Sequence, residues 1–216
     1  MRLQELYEKH QENSASIQSA VYETLKEAII THDITPEITE NMISSDLGIS
    51  RTPVREAMKK LSSSGYLEIT HGKNAKVVFA TKQDIKEICE ALRALYIAST
   101  EMCIQKASDE ELSQLEELCE LIKLYVKRKD IDQIIDYTSK FHLKVCELGQ
   151  NKWLYKCIVN LNDFIYNNTR NVLSNPTRLN EMYTDHYTIY QLIKARDLEH
   201  MPEVIKRHVR NDSPME

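Results

Sequence analysis

Residues 47–61 read LGISRTPVREAMKKL, and this stretch decides the fold of the N-terminal part of the chain. Gly48 suits the left-handed backbone position that follows a helix. Thr52 can cap a new helix, and Pro53 is tolerated in its first turn because the missing N–H has no partner there. The residues that follow repeat with the spacing of one buried helical face: Val54, Ala57, Met58 and Leu61. The pattern predicts a helix-turn-helix whose second helix begins at Thr52.

The segments on either side complete a small domain. Residues 17–30 have helical periodicity, and Ile38, Ile43 and Leu47 indicate a short second helix that ends at Gly48. After the third helix, two β-prone runs, YLEIT and AKVVF, are separated by residues 71–74, which predicts a hairpin. Three helices followed by a β-hairpin are typical of a winged helix.

Residues from Asp84 onward have helical periodicity throughout, in about six segments. We therefore expect a mainly α protein with three parts: a polar N-terminal extension over residues 1–16, a winged helix-turn-helix over 17–80, and an all-α helical bundle over 81–216. The extension is interpreted as an extra helix or an arm.

The composition agrees with a helix-rich globular protein, because 42% of the 216 residues are apolar, 28% are charged and only four are glycine. No apolar run approaches the roughly 20 residues of a membrane-spanning helix, and the first residues, MRLQELYEKHQENS, lack a signal-peptide core. These features predict a cytoplasmic protein without a membrane partner. Five cysteines without a C-x-x-C pair indicate reduced thiols rather than a disulfide framework.

The charge is distributed unevenly along the chain. The net charge is −5, yet residues 51–76 contain six lysines and arginines against two glutamates, a local net charge of +4. A local basic segment is the expected footprint of a nucleic-acid-binding surface even in an acidic protein.

Four polar residues lie at the N-terminal end of the predicted third helix: Ser50, Arg51, Thr52 and Arg55. This end of a recognition helix enters the major groove of DNA. An arginine can donate two hydrogen bonds to O6 and N7 of guanine, whereas hydroxyls and helix-end N–H groups suit phosphates. Arg51 and Arg55 are therefore candidates for base recognition. The alternative is that they are solvated charges on a surface helix.

Residues 17–80 resemble the winged helix of the GntR family of bacterial transcription regulators, of the FadR type. The string SRTPVREA carries the resemblance, together with Glu40, Gly48 and the hairpin. The wing sequence ITHGKNAKV is similar to that of the fatty-acid-responsive branch, in which a histidine and a glycine at the wing tip reach the minor groove. The resemblance therefore implies that His71 and Gly72 also contact DNA.

Residues 84–216 resemble the helical effector domain called FCD. In many such domains an aspartate and three histidines bind a divalent metal, and the matching positions here are Thr138, His142, His186 and His208. The resemblance implies one transition-metal ion per chain, such as zinc, nickel, manganese or iron, with Thr138 in place of the usual aspartate. Three imidazole ligands leave a coordination position open for water or a carboxylate effector.

The same resemblance suggests an effector pocket. Arg93 lies where related domains have an inward arginine that can pair with an acidic ligand or with a structural carboxylate, so a structural role is the alternative. Tyr96 stands where an acidic residue is common. Residues of the fourth predicted C-terminal helix can line the same cavity: Asn162, Tyr166 and Arg170.

Together, these features predict a homodimeric transcription regulator, a repressor rather than an enzyme, that binds a palindromic operator in double-stranded DNA. A small carboxylate metabolite in the C-terminal domain would control it. One alternative is a regulator that responds to the metal itself. Another is a three-histidine metalloenzyme, although the chain contains no H-E-x-x-H, nucleophile elbow or glycine-rich phosphate loop.

Overall fold

The computed structural model of the protein describes residues 2–69 and 74–209. The chain divides into two compact units, Met1–Ala80 and Thr81–Glu216. The described residues are mainly helical, with one small antiparallel sheet in the first unit.

The N-terminal unit contains four helices and three short strands among its described residues. In chain order they are α1 (Arg2–Asn13), α2 (Ile17–Ile30), β1 (Glu37–Thr39), α3 (Glu40–Leu47), α4 (Arg51–Ser63), β2 (Leu67–Ile69) and β3 (Asn74–Val77). Helices α2 and α4 pack against each other through fully buried side chains that include Leu25, Val54 and Leu61. The N-terminal extension forms α1, which lies on α2 with Tyr7 buried.

The wing is part of a three-stranded antiparallel sheet with the order β1-β3-β2. The predicted hairpin is present as β2 and β3, with Ile69 opposite Ala75. The helix predicted around Ile38 was wrong at that residue, because Ile38 lies in β1 opposite Ala75. Pairing with β3 provides hydrogen-bond partners for the backbone of β1 and buries Ile38 almost completely. The turn, with His71 and Gly72, lies outside the described residues.

The helix-turn-helix is made by α3 and α4. Gly48 follows α3 with φ of 64°, a left-handed conformation in which a side chain would be strained. Helix α4 begins at Arg51 with Ser50 as its N-cap residue, so the predicted start at Thr52 is one residue late. Pro53 is tolerated as the third helical residue because the first N–H groups of a helix have no intrahelical partner.

The C-terminal unit consists of six helices among its described residues. They are α5 (Lys82–Lys106), α6 (Asp109–Arg128), α7 (Ile131–Leu148), α8 (Lys152–Leu173), α9 (Pro176–Lys194) and α10 (Met201–His208). Helix α7 contacts α5, α6 and α8, while α9 contacts α6 and α10. Phe141 on α7 and Ile189 on α9 are fully buried. This packing directs one face of α7, α9 and α10 toward a common interior.

In the described part of the chain, no helix combines the length and apolar character that crossing a membrane requires.

Candidate functional site

The N-terminal end of α4 presents a polar surface. The four residues predicted there are all exposed: Ser50, Arg51, Thr52 and Arg55. On the opposite face of the helix, Val54, Ala57 and Leu61 are completely buried. The helix is therefore anchored by its apolar face, and its polar end is free to meet another molecule.

Arg55 is held by a carboxylate that the sequence did not single out for this role. Its Nε donates to both oxygens of Glu40, at 2.9 and 3.1 Å, and its Nη2 donates to Glu40 Oε2 at 2.9 Å. Glu40 is the first residue of α3, so the contact connects the two helices of the helix-turn-helix. Because the partners are 15 residues apart, helical spacing alone could not predict the pair.

In the C-terminal unit, the fold brings together the three histidines that the sequence proposed as ligands. Nε2 of His142 lies 3.0 Å from Nε2 of His208 and 3.2 Å from Nε2 of His186. All three candidate ligand atoms lie within 4.8 Å of one another. Metal–nitrogen bonds of about 2.0–2.1 Å, at angles between a right angle and the tetrahedral value, would place ligand nitrogens about 2.8–3.4 Å apart. The separations from His142 to the other two histidines match those of nitrogens on a single divalent ion, so the residues present could hold one.

His142 and His186 favour the neutral imidazole, which is the form that binds a metal. Burial, with the nearby His186 and His208 adding to it, lowers the pKa of His142 well below its usual value. Burial also lowers the pKa of His186 to about 3. His186 Nδ1 lies 2.8 Å from the carbonyl oxygen of Met182, an acceptor, so Nδ1 carries the proton and Nε2 keeps its lone pair.

Asp185 supports the cluster from outside, and the sequence prediction missed it. Arg207 Nε donates to Asp185 Oδ1 at 2.9 Å, and Arg207 Nη2 forms an ion pair with the same oxygen at 2.8 Å. The other oxygen lies 3.8 Å from His208 Nδ1, too long for a direct hydrogen bond. Burial alone would raise the pKa of Asp185, but His208 and Arg207 lower it below its usual value. The repeated spacing, Asp185-His186 and Arg207-His208, was the available signal.

Thr138 lies one turn before His142 on α7 and is buried. Its hydroxyl donates to the carbonyl oxygen of Ile135 at 3.0 Å, so its proton is used within its own helix. A neutral hydroxyl is a weaker metal ligand than the carboxylate usual at this position. Asp136 does not replace it, because that side chain is exposed and pairs with Lys140.

The predicted pocket residues fall into two groups. The Tyr96 ring stacks on the His142 ring, with centroids 4.1 Å apart, and its hydroxyl donates to Asn162 Oδ1 at 2.7 Å. Arg93 instead donates from Nη1 to the carbonyl oxygen of Val209, next to His208. The contacts of the other two predicted residues are different. Tyr166 packs against the apolar cluster containing Ile135 and Met182, and Arg170 is exposed and pairs with Asp132.

Two family models match the chain. Residues 17–77 match the model described as bacterial regulatory proteins, gntR family, and residues 87–211 match the FCD domain. Together they cover the exposed end of α4 and all three histidines.

Three individual proteins are similar to the chain over most of its length. An uncharacterized HTH-type transcriptional regulator of Bacillus subtilis, YdhC, is 26% identical over 194 residues, which are 88% of this chain and 87% of the relative. The gluconate operon transcriptional repressor of the same species is 26% identical over 173 residues, 74% of this chain and 68% of the repressor. The solved structure of E. coli McbR/YncC has a TM-score of 0.76 at 22% identity and covers 91% of this chain and 94% of that one.

The metalloenzyme alternative therefore fails, because the matched family and relatives are transcription regulators. With both of its units matched, the chain belongs to the gntR family of bacterial regulatory proteins and is a transcription regulator with an FCD effector domain.

Proposed function

We propose that this regulator is a repressor that binds a palindromic operator in double-stranded DNA as a homodimer. A small carboxylate metabolite, bound next to a divalent metal in the C-terminal domain, controls it. The observation that carries the DNA-binding part is the exposed polar end of α4 above a fully buried apolar face. Repression is supported by the kinship with the gluconate operon transcriptional repressor.

The DNA contacts are assigned by residue type. Arg51 and Arg55 recognise bases, while the hydroxyls of Ser50 and Thr52 and the N–H groups at the start of α4 bind phosphates. His71 and Gly72 are proposed to reach the minor groove from the wing.

The first experiment is selection of random double-stranded oligonucleotides with the full-length protein. We expect a palindromic sequence with guanines in both half-sites. Arg51→Ala should then cost about 1–3 kcal/mol of discrimination at one base pair. Lys129→Ala is the matched control, because it also removes one positive charge but lies in the C-terminal unit. Recovery of no preferred sequence would contradict the proposal.

In the effector domain, we propose that His142, His186 and His208 hold one divalent ion of zinc, nickel, manganese or iron. The support is the short separation of His142 Nε2 from Nε2 of the other two, and the neutral state that burial favours at His142 and His186. Such an ion would supply an open coordination position for a carboxylate. Tyr96, stacked on His142, and Asn162 are proposed to line the effector pocket, while Arg93 is proposed to hold the chain after His208.

Elemental analysis of the purified full-length protein tests the metal site. We expect about one equivalent of transition metal per chain, and His186→Ala should abolish it because a buried ligand is removed. His200→Ala is the control, because His200 is exposed and pairs with Asp197 instead. Metal content that is equal in the two variants would rule out the histidine cluster as the binding site.

The histidine cluster also favours one alternative, in which the metal itself is the effector. The two mechanisms differ in a measurable way. In a metal sensor, adding the ion alone changes operator affinity. In a carboxylate sensor, the loaded protein responds only when a carboxylate is added, because a ligand shifts an equilibrium only by its differential affinity for the two states.

The dimer is proposed to form through α8. This helix is rich in apolar residues, yet Ile158 and Leu173 are the only fully buried ones among its described side chains. Trp153 is 65% exposed and Tyr155 is 38% exposed. A helix that is apolar around most of its circumference normally has partners on more than one side. A second copy related by a twofold axis would cover the same residues on both chains.

A further inference from the structure

The contact between Glu40 and Arg55 uses one particular edge of the guanidinium group. Nε and one N–H of Nη2 face the carboxylate. A guanidinium group has five N–H donors in a rigid plane, so one N–H of Nη1 and the second N–H of Nη2 point along the neighbouring, end-on edge. This outer edge has two parallel donors, the arrangement that matches O6 and N7 of guanine.

The carboxylate is itself well placed to act as a support. The Thr39 hydroxyl caps α3 by accepting from the Met42 N–H at 3.1 Å, and Thr39 is also paired with Asn74 in the sheet. Glu40 therefore follows a residue that is fixed by both a strand and a helix cap. The Glu40 side chain is 13% exposed, whereas that of Arg55 is 46% exposed. The carboxylate is therefore largely shielded from solvent, whereas the arginine side chain is nearly half exposed.

The pair contributes little to stability, because ion pairs that are open to solvent are screened. Its main effect is on geometry. A free arginine has many rotamers and loses their entropy when it binds a base. An arginine that is already held in one orientation loses less side-chain entropy on binding. A guanidinium group whose Nε edge is already occupied also accepts fewer alternative hydrogen-bonding partners.

We propose that Glu40 is a specificity-determining positioning residue, which holds Arg55 with its outer edge directed at a guanine in the operator. This inference rests on the proposed DNA-binding function. Glu40 itself does not touch DNA; it selects which orientation Arg55 presents. Specificity for guanine at this position then depends on an acidic residue of α3 as well as on the recognition helix.

Two other roles of Glu40 predict different results. If Glu40 instead competed with DNA for Arg55, removing its charge would sharpen the preference for guanine. If Glu40 served only to attach α3 to α4, removing its charge would lower the melting temperature and weaken binding to all DNA sequences equally.

The experiment compares Glu40→Gln with Glu56→Gln in the full-length protein. Both substitutions remove one negative charge, and Glu56 lies on α4 beside Arg55 but pairs with Lys59. Affinity is measured for the selected operator and for versions with 7-deazaguanine, which lacks the N7 acceptor, at one guanine at a time. Arg55→Ala identifies the guanine that Arg55 recognises.

We expect Glu40→Gln to reduce the preference for that guanine about tenfold, the effect of leaving one long side chain unrestrained before binding. Discrimination at the other guanines should stay within about twofold, and Glu56→Gln should retain discrimination at all of them. If Glu40→Gln does not fold, Glu40→Asp tests the same point. The side chain is then one methylene shorter, so its carboxylate cannot reach both Nε and Nη2 of Arg55.

Unchanged or sharper discrimination in Glu40→Gln would overturn the inference, as would an equal loss on all sequences. These results leave the proposed function intact, because an operator has then been selected. Failure of the selection itself would instead overturn the proposed function, and this inference with it.

Discussion

At the scale of single residues, Asp185 shows how a site can depend on a side chain that is not one of its proposed ligands. Its carboxylate is buried, holds Arg207 through a hydrogen bond and an ion pair, and faces the ring of His208. Its negative charge, 3.8 Å from His208 Nδ1, favours the tautomer with the proton on that nitrogen and makes the ring a stronger ligand. His186 receives closer support, a direct hydrogen bond to the carbonyl oxygen of Met182.

We expect Asp185→Asn to weaken metal binding about 10- to 100-fold, the usual effect of losing a supporting group behind a ligand. All three histidines remain, so the metal stoichiometry at saturation should not change. Competition with a metal-binding dye measures the affinity.

The control for this prediction is Asp136→Asn. Asp136 is exposed on α7 and pairs with Lys140, so its loss should leave metal affinity unchanged. If both variants bound metal as tightly as the wild type, Asp185 would have no part in the site.

At the scale of elements, α1 is attached to the winged helix by a contact among Lys9, His10 and Glu27. Lys9 donates to Glu27 Oε1 at 2.9 Å, and His10 Nε2 lies 2.7 Å from Glu27 Oε2. Burial alone would raise the pKa of Glu27, but the hydrogen bonds and charges of Lys9 and His10 lower it below the usual 4.5. The ionised carboxylate therefore stabilises the docked helix above that pH, and its contribution is lost as the pH falls through the lower folded-state pKa.

We expect Glu27→Gln to increase amide hydrogen exchange in α1 about two- to fivefold at neutral pH, since a half-exposed ion pair contributes less than about 1 kcal/mol. Exchange in α4 should not change. Exposed Glu12 on α1 provides the control, as Glu12→Gln removes the same charge without breaking this contact. Equal exchange in the two variants would show that the buried Tyr7 alone holds the helix.

At the scale of the whole molecule, the proposed homodimer requires a surface on which two copies can pack. Apolar residues on α8 remain exposed in the single chain, and Trp153 is the most exposed of the large ones. Side chains of this type are over-represented among the residues that dominate interface energies.

Because Trp153 is the only tryptophan in the chain, its fluorescence reports directly on the proposed interface. Dilution from dimer to monomer should shift its emission to longer wavelength, as the indole becomes exposed to water. Trp153→Ala should weaken the dimer by about 2 kcal/mol or more if the residue is central to the interface. Sedimentation of the same dilution series measures the dissociation of the dimer independently of fluorescence. An emission maximum that stays constant across it would place the interface elsewhere.

The sequence by itself determined most of the helices and strands. It also determined which residue types lie at the start of α4 and in the histidine cluster. Helical periodicity, Gly48 and the run SRTPVREA predicted the helix-turn-helix, since these signals act over a few residues of backbone. The start of α4 and the position of Ile38 were predicted less well, because Ile38 gains its strand conformation only by pairing with Ala75 on a distant strand. The three histidines were identified through a family resemblance, since no short spacing connects them.

Only the tertiary structure decided which distant residues meet. The packing of α7, α9 and α10 brings three histidine nitrogens together, and it adds Asp185 and Arg207, which local signals did not distinguish from surface charges. The same is true of Glu40 and Arg55, which lie on different helices. Local backbone preferences can be predicted from neighbouring residues, but contacts between distant side chains exist only after apolar burial has fixed the helices relative to one another.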